Sequence, residues 1–205
     1  MKNNRFRLLA LLFAVSALLL TGCGKVPAVP AAPAEDVGEI IESCTAIIDI
    51  ENYGSITLVL DGKAAPITVK NFVELAESGF YNGLTFHRIM SGFMMQGGDP
   101  LGNGTGGSEN KIKGEFKQNG VDNPLSHTRG AISMARSNQP DSASSQFFIV
   151  HADSTFLDGA YAVFGYVTEG IEVVDKVCEA AQPIDGNGTI PAAEQPVIKS
   201  ISIVR

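Results

Sequence analysis

Apolar and polar residues change rhythm twice along this chain. A largely apolar run, Leu8 to Leu20, gives way to a proline- and alanine-rich stretch, and the pattern turns periodic only near residue 45. TAIIDIE sets Ile48 and Ile50 against Asp49 and Glu51, and SITLVL puts Ile56, Leu58 and Leu60 on one face. Side chains alternate across a strand, so two period-two runs around Asn52-Tyr53-Gly54 predict a β-hairpin. VKNFVELAES then shifts the period: Val69, Phe72, Val73 and Ala76 recur at helical spacing. Thr68 is the expected N-cap and Gly79 the expected stop. Short strand-like runs follow in LTFHRI, FMMQGG, GAISMA, QFFIV and YAVFGYV. A second helix is predicted over Ile171 to Ala181, with Ile171, Val174, Val177 and Cys178 inward, and VIKSISIVR closes the chain as another alternating strand. Long loops rich in Gly, Asn and Pro lie near 99–128 and 182–196. Many short antiparallel strands with two helices predict a mainly β fold, a closed barrel with helices covering its ends.

Composition narrows the setting. The 205 residues carry a formal net charge of -7, and the first 22 hold three bases and no acid. The remainder is therefore about as acidic as 12 bases against 22 acids allow, which argues against nucleic acid as a partner. MKNNRFR is a cationic start and LLALLFAVSALLL an apolar run too short to span a bilayer comfortably, since roughly 20 residues are needed. It ends in Leu20-Thr21-Gly22-Cys23, which resembles a bacterial lipobox. The expected organisation is a lipoprotein signal peptide over 1–22, a lipidated Cys23 with a Pro/Ala-rich tether over 23–43, and one globular domain over 44–205. Lipid on the Cys23 thiol and amine would anchor the protein to the outer side of the cell membrane. Extended proline-rich chain runs about 3.1 Å per residue, so the tether reaches on the order of 60 Å. Cys44 and Cys178 remain; an exported protein permits a disulfide between them, but their spacing is equally compatible with two free thiols.

The chemistry is less obvious. GNGTGG (Gly102 to Gly107) fits a dinucleotide-binding pattern, but SENKIKGEF follows it and does not open a helix as that motif requires. No G-x-S-x-G nucleophile elbow occurs. His87, His127 and His151 lack metal-ligand spacing, so neither a metal nor a cofactor is expected. FHRIMSGFMMQGGDP, Phe86 to Pro100, is the puzzle: a core strand has no use for a guanidinium among bulky apolar residues, and no nucleophile stands nearby.

That segment, with GNGTGG, HTRGAISMAR, SSQFFIV and FLDGAYAVFG, resembles the cyclophilins, the peptidyl-prolyl cis-trans isomerases, in the same order along the chain. The resemblance covers nearly all of residues 45 to 205. It implies a closed eight-stranded antiparallel β-barrel capped by two α-helices, with the active site on the outer wall. It also implies an isomerase acting on X-Pro bonds without a cofactor; with the lipobox-like start, the expected substrates are exported proteins, and a monomer is expected. A non-catalytic proline-peptide-binding chaperone on the same fold is the alternative. By position, Arg88, Phe93 and Gln96 are the implied catalytic set, and His87 stays outside it. Met94, Phe148 and Leu157 join Phe93 around the proline ring, Gln146 orients Arg88 and substrate, and Ala135, Arg136 and Ser137 line the peptide edge. Phe156 and Tyr161 complete the substrate-binding set, standing where many members have Trp and His. Arg136 replaces a commoner Asn, and Ser137 a small apolar residue. Phe156 lacks the indole N–H that commonly meets cyclosporin, so weak inhibition by that drug is expected.

Overall fold

The computed structural model describes residues 41–205. The expected signal peptide, Cys23 and nearly all of the tether lie outside the described residues. Eight strands form one sheet: β1 Ser43–Ile50, β2 Gly54–Asp61, β3 Thr85–Met90, β4 Met94–Asp99, β5 Ala131–Met134, β6 Phe147–Val150, β7 Val163–Glu169 and β8 Ile198–Val204. Two helices, α1 Pro66–Glu77 and α2 Ile171–Ala180, join them. Among the described residues no helix is long and apolar enough to cross a membrane.

The predicted hairpin forms, with Ile48 opposite Ile56 and Ala46 opposite Leu58. Asn52 takes the left-handed conformation that its turn requires, at φ 64°. Ala46, Ile48, Ile50, Ile56, Leu58 and Leu60 all point to one buried face. Helix α1 ends as its sequence suggests. Gly79 has φ 75°, its N–H meets Ala76 O at 2.9 Å, and Phe80 N–H meets Leu75 O at 3.0 Å. This paired closure satisfies the last carbonyls and favours glycine at that place.

The helix start differs from expectation. Ala65, not Thr68, is the N-cap residue, and it makes no side-chain cap bond. The free N–H groups turn instead to Glu115, from the long loop before β5. Its carboxylate accepts from Ile67 N at 3.0 Å, Thr68 N at 2.7 Å and Thr68 Oγ1 at 2.7 Å. Glu115 and Thr68 are both buried, and an anion at a helix N-terminus also meets the positive end of the helix dipole.

The strand order is β3-β4-β6-β5-β7-β2-β1-β8, every neighbouring pair antiparallel. The sheet curls until its two edges touch near Thr85 and Val197. Phe86 N donates to Pro196 O and Ile198 N to Leu84 O, but no continuous ladder joins β3 to β8. The barrel is thus curled and open, not closed as expected. The reason lies along the β3 edge. Ile89 N donates to Gly188 O and Ile190 N to His87 O, so the loop after α2 occupies the edge that β8 would need. Pro196, just ahead of β8, also has no N–H to offer a ladder.

Inside the curl sits the main core, with Phe72, Tyr81, Phe86, Phe147 and Phe164 among its largest fully buried side chains. Helix α1 packs on β8 and β2, and α2 on β2 and β4. Cys44 and Cys178 are free and buried. Burial raises both thiol pKa values, that of Cys178 to about 12, so neither is a ready nucleophile.

Candidate active site

A second, smaller apolar cluster lies on the outer face of the same sheet. Met94, Ala131, Phe148, Val150 and Val163 are buried there, with Phe93, Ala135, Leu157 and Tyr161 packed partly against them. Strand alternation explains most of this. On β6, Phe147 and Ile149 point inward while Phe148 and Val150 point outward. On β4, Met95 is inward and Met94 outward.

Strand β3 breaks the alternation, and the break makes the site. Phe86 and Ile89 both belong to the inner core although they are three apart. The pairing explains how: Phe86 lies opposite Gly97 and Arg88 opposite Gln96, with a register shift at His87. A β-bulge inserts one residue and re-aims the side chains beyond it. Without it, Arg88 would share the inward face of Phe86. With it, Arg88 turns out beside the apolar cluster.

The guanidinium is held on each of its nitrogens. Arg88 Nε donates to Asn187 O at 2.7 Å, Nη1 to Gln96 Oε1 at 3.2 Å, and Nη2 approaches Met90 Sδ at 3.3 Å. The chain of amides continues in one direction. Gln96 Nε2 donates to Gln146 Oε1 at 2.9 Å, and Gln146 Nε2 to Gly106 O at 2.7 Å. Each donor polarises the next, so the relay locks both amides and the Arg88 fork. Partial burial lowers the Arg88 pKa, with Tyr161 and Asp185 opposing, but a guanidinium stays protonated at physiological pH. The carbon of that guanidinium lies 6.0 Å from the Phe93 ring centre.

Nine of the twelve expected site residues line one cavity of about 140 Å³: Arg88, Phe93, Met94, Gln96, Ala135, Arg136, Phe148, Leu157 and Tyr161. Ser137 and Gln146 line an adjoining groove of about 320 Å³, which shares Gln96, Ala135 and Arg136 with the cavity. Its far wall is the GNGTGG loop, folded around the Asp99 carboxylate. That carboxylate accepts from Leu101 N at 2.8 Å, Asn103 N at 3.1 Å and Gly104 N at 2.6 Å. Phe156 stands outside both hollows, 74% exposed, with its ring 5.7 Å from that of Phe93. The Arg136 guanidinium is spent on the protein itself. It donates to Ala160 O and Ser137 O and lies between the rings of Phe116 and Tyr161, 4.8 Å and 4.6 Å from their centres.

Four partners of the site escaped the sequence reading. Two are main-chain carbonyls, Asn187 O and Gly106 O, which carry no side-chain signal. The others are His127 and Ser133. His127 Nδ1 meets Asp158 Oδ1 at 2.8 Å and Nε2 meets Ser133 Oγ at 3.1 Å, an arrangement superficially like a nucleophilic triad. Both His127 and Ser133 are fully buried, so no substrate carbonyl reaches the hydroxyl. Burial holds the His127 pKa down despite Asp158. The imidazole instead stacks on Phe148, 5.9 Å between centres and 12° from parallel, and backs the cavity wall.

Known proteins resemble this chain in sequence and fold. The family described as cyclophilin type peptidyl-prolyl cis-trans isomerase/CLD matches residues 45–203. A peptidyl-prolyl cis-trans isomerase of Helicobacter pylori is 51% identical over 62% of this chain and 76% of its own. Peptidyl-prolyl cis-trans isomerase A of Dickeya dadantii is 42% identical over 78% of this chain and 85% of its own. A cyclophilin-type isomerase of Cryptosporidium parvum, solved in the presence of the dipeptide Ala-Pro, superposes with a TM-score of 0.69 at 31% identity. That match covers 78% of this chain and 99% of the other.

Proposed function

The chain belongs to the cyclophilin-type peptidyl-prolyl cis-trans isomerase family and is a prolyl isomerase; from that premise we propose that Arg88 drives the rotation and that exported proteins are the substrates. The observation that supports the Arg88 role is the one-way relay of amides that holds its donor fork over an apolar cavity. The X-Pro amide resists rotation by about 18–20 kcal/mol because its C–N bond has partial double-bond character. No bond has to break. As the amide twists, the prolyl nitrogen recovers a lone pair that the planar ground state lacks. A guanidinium beside it donates to that lone pair only then, so the interaction lowers the barrier without tightening the ground state. Phe93, Met94, Phe148 and Leu157 hold the proline ring still while the rest of the chain swings. Gln96 and Gln146 fix the fork in advance, so little reorganisation is left for the reacting moment.

The setting follows from the amino-terminal pattern. A cationic start, a short apolar run and Leu20-Thr21-Gly22-Cys23 support a lipid anchor at Cys23, which would hold the domain outside the cytoplasmic membrane. Slow proline isomerisation, tens to hundreds of seconds uncatalysed, limits folding there as elsewhere. The protein works as a monomer without a cofactor. A proline-peptide isomerisation assay, with Arg88→Ala as control, tests the catalytic assignment. Equal rates for the two proteins would remove Arg88 from the mechanism, and peptide binding without any acceleration would leave a proline-binding chaperone. Metabolic lipid labelling that persists in Cys23→Ser would remove the anchor.

A further inference from the structure

Phe93 forms one wall of the proline cavity, yet it sits in an exposed turn between β3 and β4. Something must hold that turn. Within it Gly92 has φ 78° and Phe93 N donates to Met90 O at 2.9 Å. Two further bonds come from one residue beyond β6. His151 N donates to Phe93 O at 2.9 Å, and His151 Nδ1 accepts from Gly92 N at 2.9 Å. An imidazole nitrogen that accepts carries no proton, so the hydrogen lies on Nε2. That nitrogen faces Asp175 Oδ1 of α2 at 3.1 Å. Asp175 is itself gripped by both terminal nitrogens of Arg129, each at 2.8 Å, and Arg129 Nη1 also donates to His151 O at 2.7 Å. One imidazole thus ties the turn that carries Phe93 to a carboxylate on a helix.

We propose that His151 is a positioning residue for Phe93: its bare Nδ1 fastens the β3–β4 turn through Gly92 N–H, while Asp175 and Arg129 fix the ring that does so. The inference rests on the isomerase reading of the cavity and concerns substrate grip, not the rotation step at Arg88. The charged groups around the ring are Asp175 from α2, Arg129 from the loop ahead of β5, and Asp153 on its own segment, which accepts from Arg129 N at 2.7 Å. The β3–β4 turn faces the ring with Gly92 N–H.

Two substitutions separate the halves of the imidazole. Asparagine places an oxygen near the position of Nδ1 and retains the acceptor for Gly92. Glutamine reaches the position of Nε2 and retains the contact to Asp175 but not the acceptor. In the full chain, His151→Gln raises KM for a proline peptide about tenfold with kcat within about twofold, whereas His151→Asn stays near the unmutated KM. Equal KM values for His151→Gln and the unmutated protein would overturn the proposal. Equal losses in both variants, tracking a common fall in melting temperature, would reduce His151 to a fold residue and overturn it too. Absence of acceleration by the unmutated protein would signal failure of the isomerase reading instead.

Discussion

Phe147 and Phe148 are neighbours on β6 and face opposite sides of one sheet. Phe147 packs among the aromatic rings of the main core: its ring lies edge-on to Phe72 and Tyr81 at 5.5 Å and to Phe86 at 6.0 Å. Phe148 stacks on His127 and stands edge-on to Tyr161 at 6.0 Å. The inner face can be held by packing alone, because water never reaches it. The outer face must offer an apolar surface to a ligand and still keep its shape. Its rings are therefore braced by polar groups set to the side: His127 with Asp158 behind Phe148, Arg136 against Tyr161, and His151 behind the Phe93 turn. The lesson is a division of labour between hydrophobic burial, which stabilises, and hydrogen-bonded bracing, which positions.

This division is open to direct attack. Phe147→Ala should cost about 3–5 kcal/mol of stability, read by urea unfolding, while the folded fraction keeps its KM. An equal change in KM would show that the two faces are not separable. Arg88→Ala should lower kcat/KM about 10²–10³-fold, the usual cost of one preorganised donor, with the unfolding midpoint nearly unmoved. Glu115→Ala removes the acceptor for Ile67 and Thr68 N–H and should cost about 1–2 kcal/mol in the same unfolding experiment, again without touching KM.

Acid should weaken the fold more gently. Burial lowers the pKa of His87 against the opposing pull of Asp99, and that of His127 against Asp158. The unfolded chain then takes up protons near pH 6.5 that the folded chain refuses. Stability is thus fully present above about pH 6.5 and falls as pH drops towards the folded-state values, by at most about 1.4 kcal/mol per pH unit for each histidine. Melting scans between pH 7.5 and 5 check the slope, and His87→Gln should make it shallower. The smallest effect belongs to the most exposed ring. Phe156→Trp should leave stability unchanged within about 0.5 kcal/mol, as for other surface substitutions. It should tighten cyclosporin inhibition, which is expected to be weak in the unmutated protein; nanomolar inhibition before the substitution would refute the role given to this position.

The local elements were legible because local chemistry specifies them. Alternating isoleucines and leucines wrote the first hairpin, a 3.6-residue period wrote both helices, and Gly79 marked a real stop. The start of α1 was not legible, because the group that caps it, Glu115, lies 47 residues beyond Thr68 and no nearby pattern points to it. The open barrel edge was hidden for a similar reason: a loop after α2, without strand periodicity of its own, takes the place beside β3.

For the site, the residue types stood in the sequence, and the resemblance in five ordered blocks named them. Periodicity by itself could not choose between Phe147 and Phe148, since a strand buried on both faces reads as a continuous apolar run. It would also have sent Arg88 inward beside Phe86. Sequence alone determined which segments become strands and helices and which side chains were available for the chemistry. Only the tertiary structure decided which face each took, because the register shift at His87 inverts the alternation along β3 beyond it. It alone also supplied the carbonyls and the distant histidines that hold Arg88, Phe148 and Phe93, since those contacts exist only once remote segments are brought together.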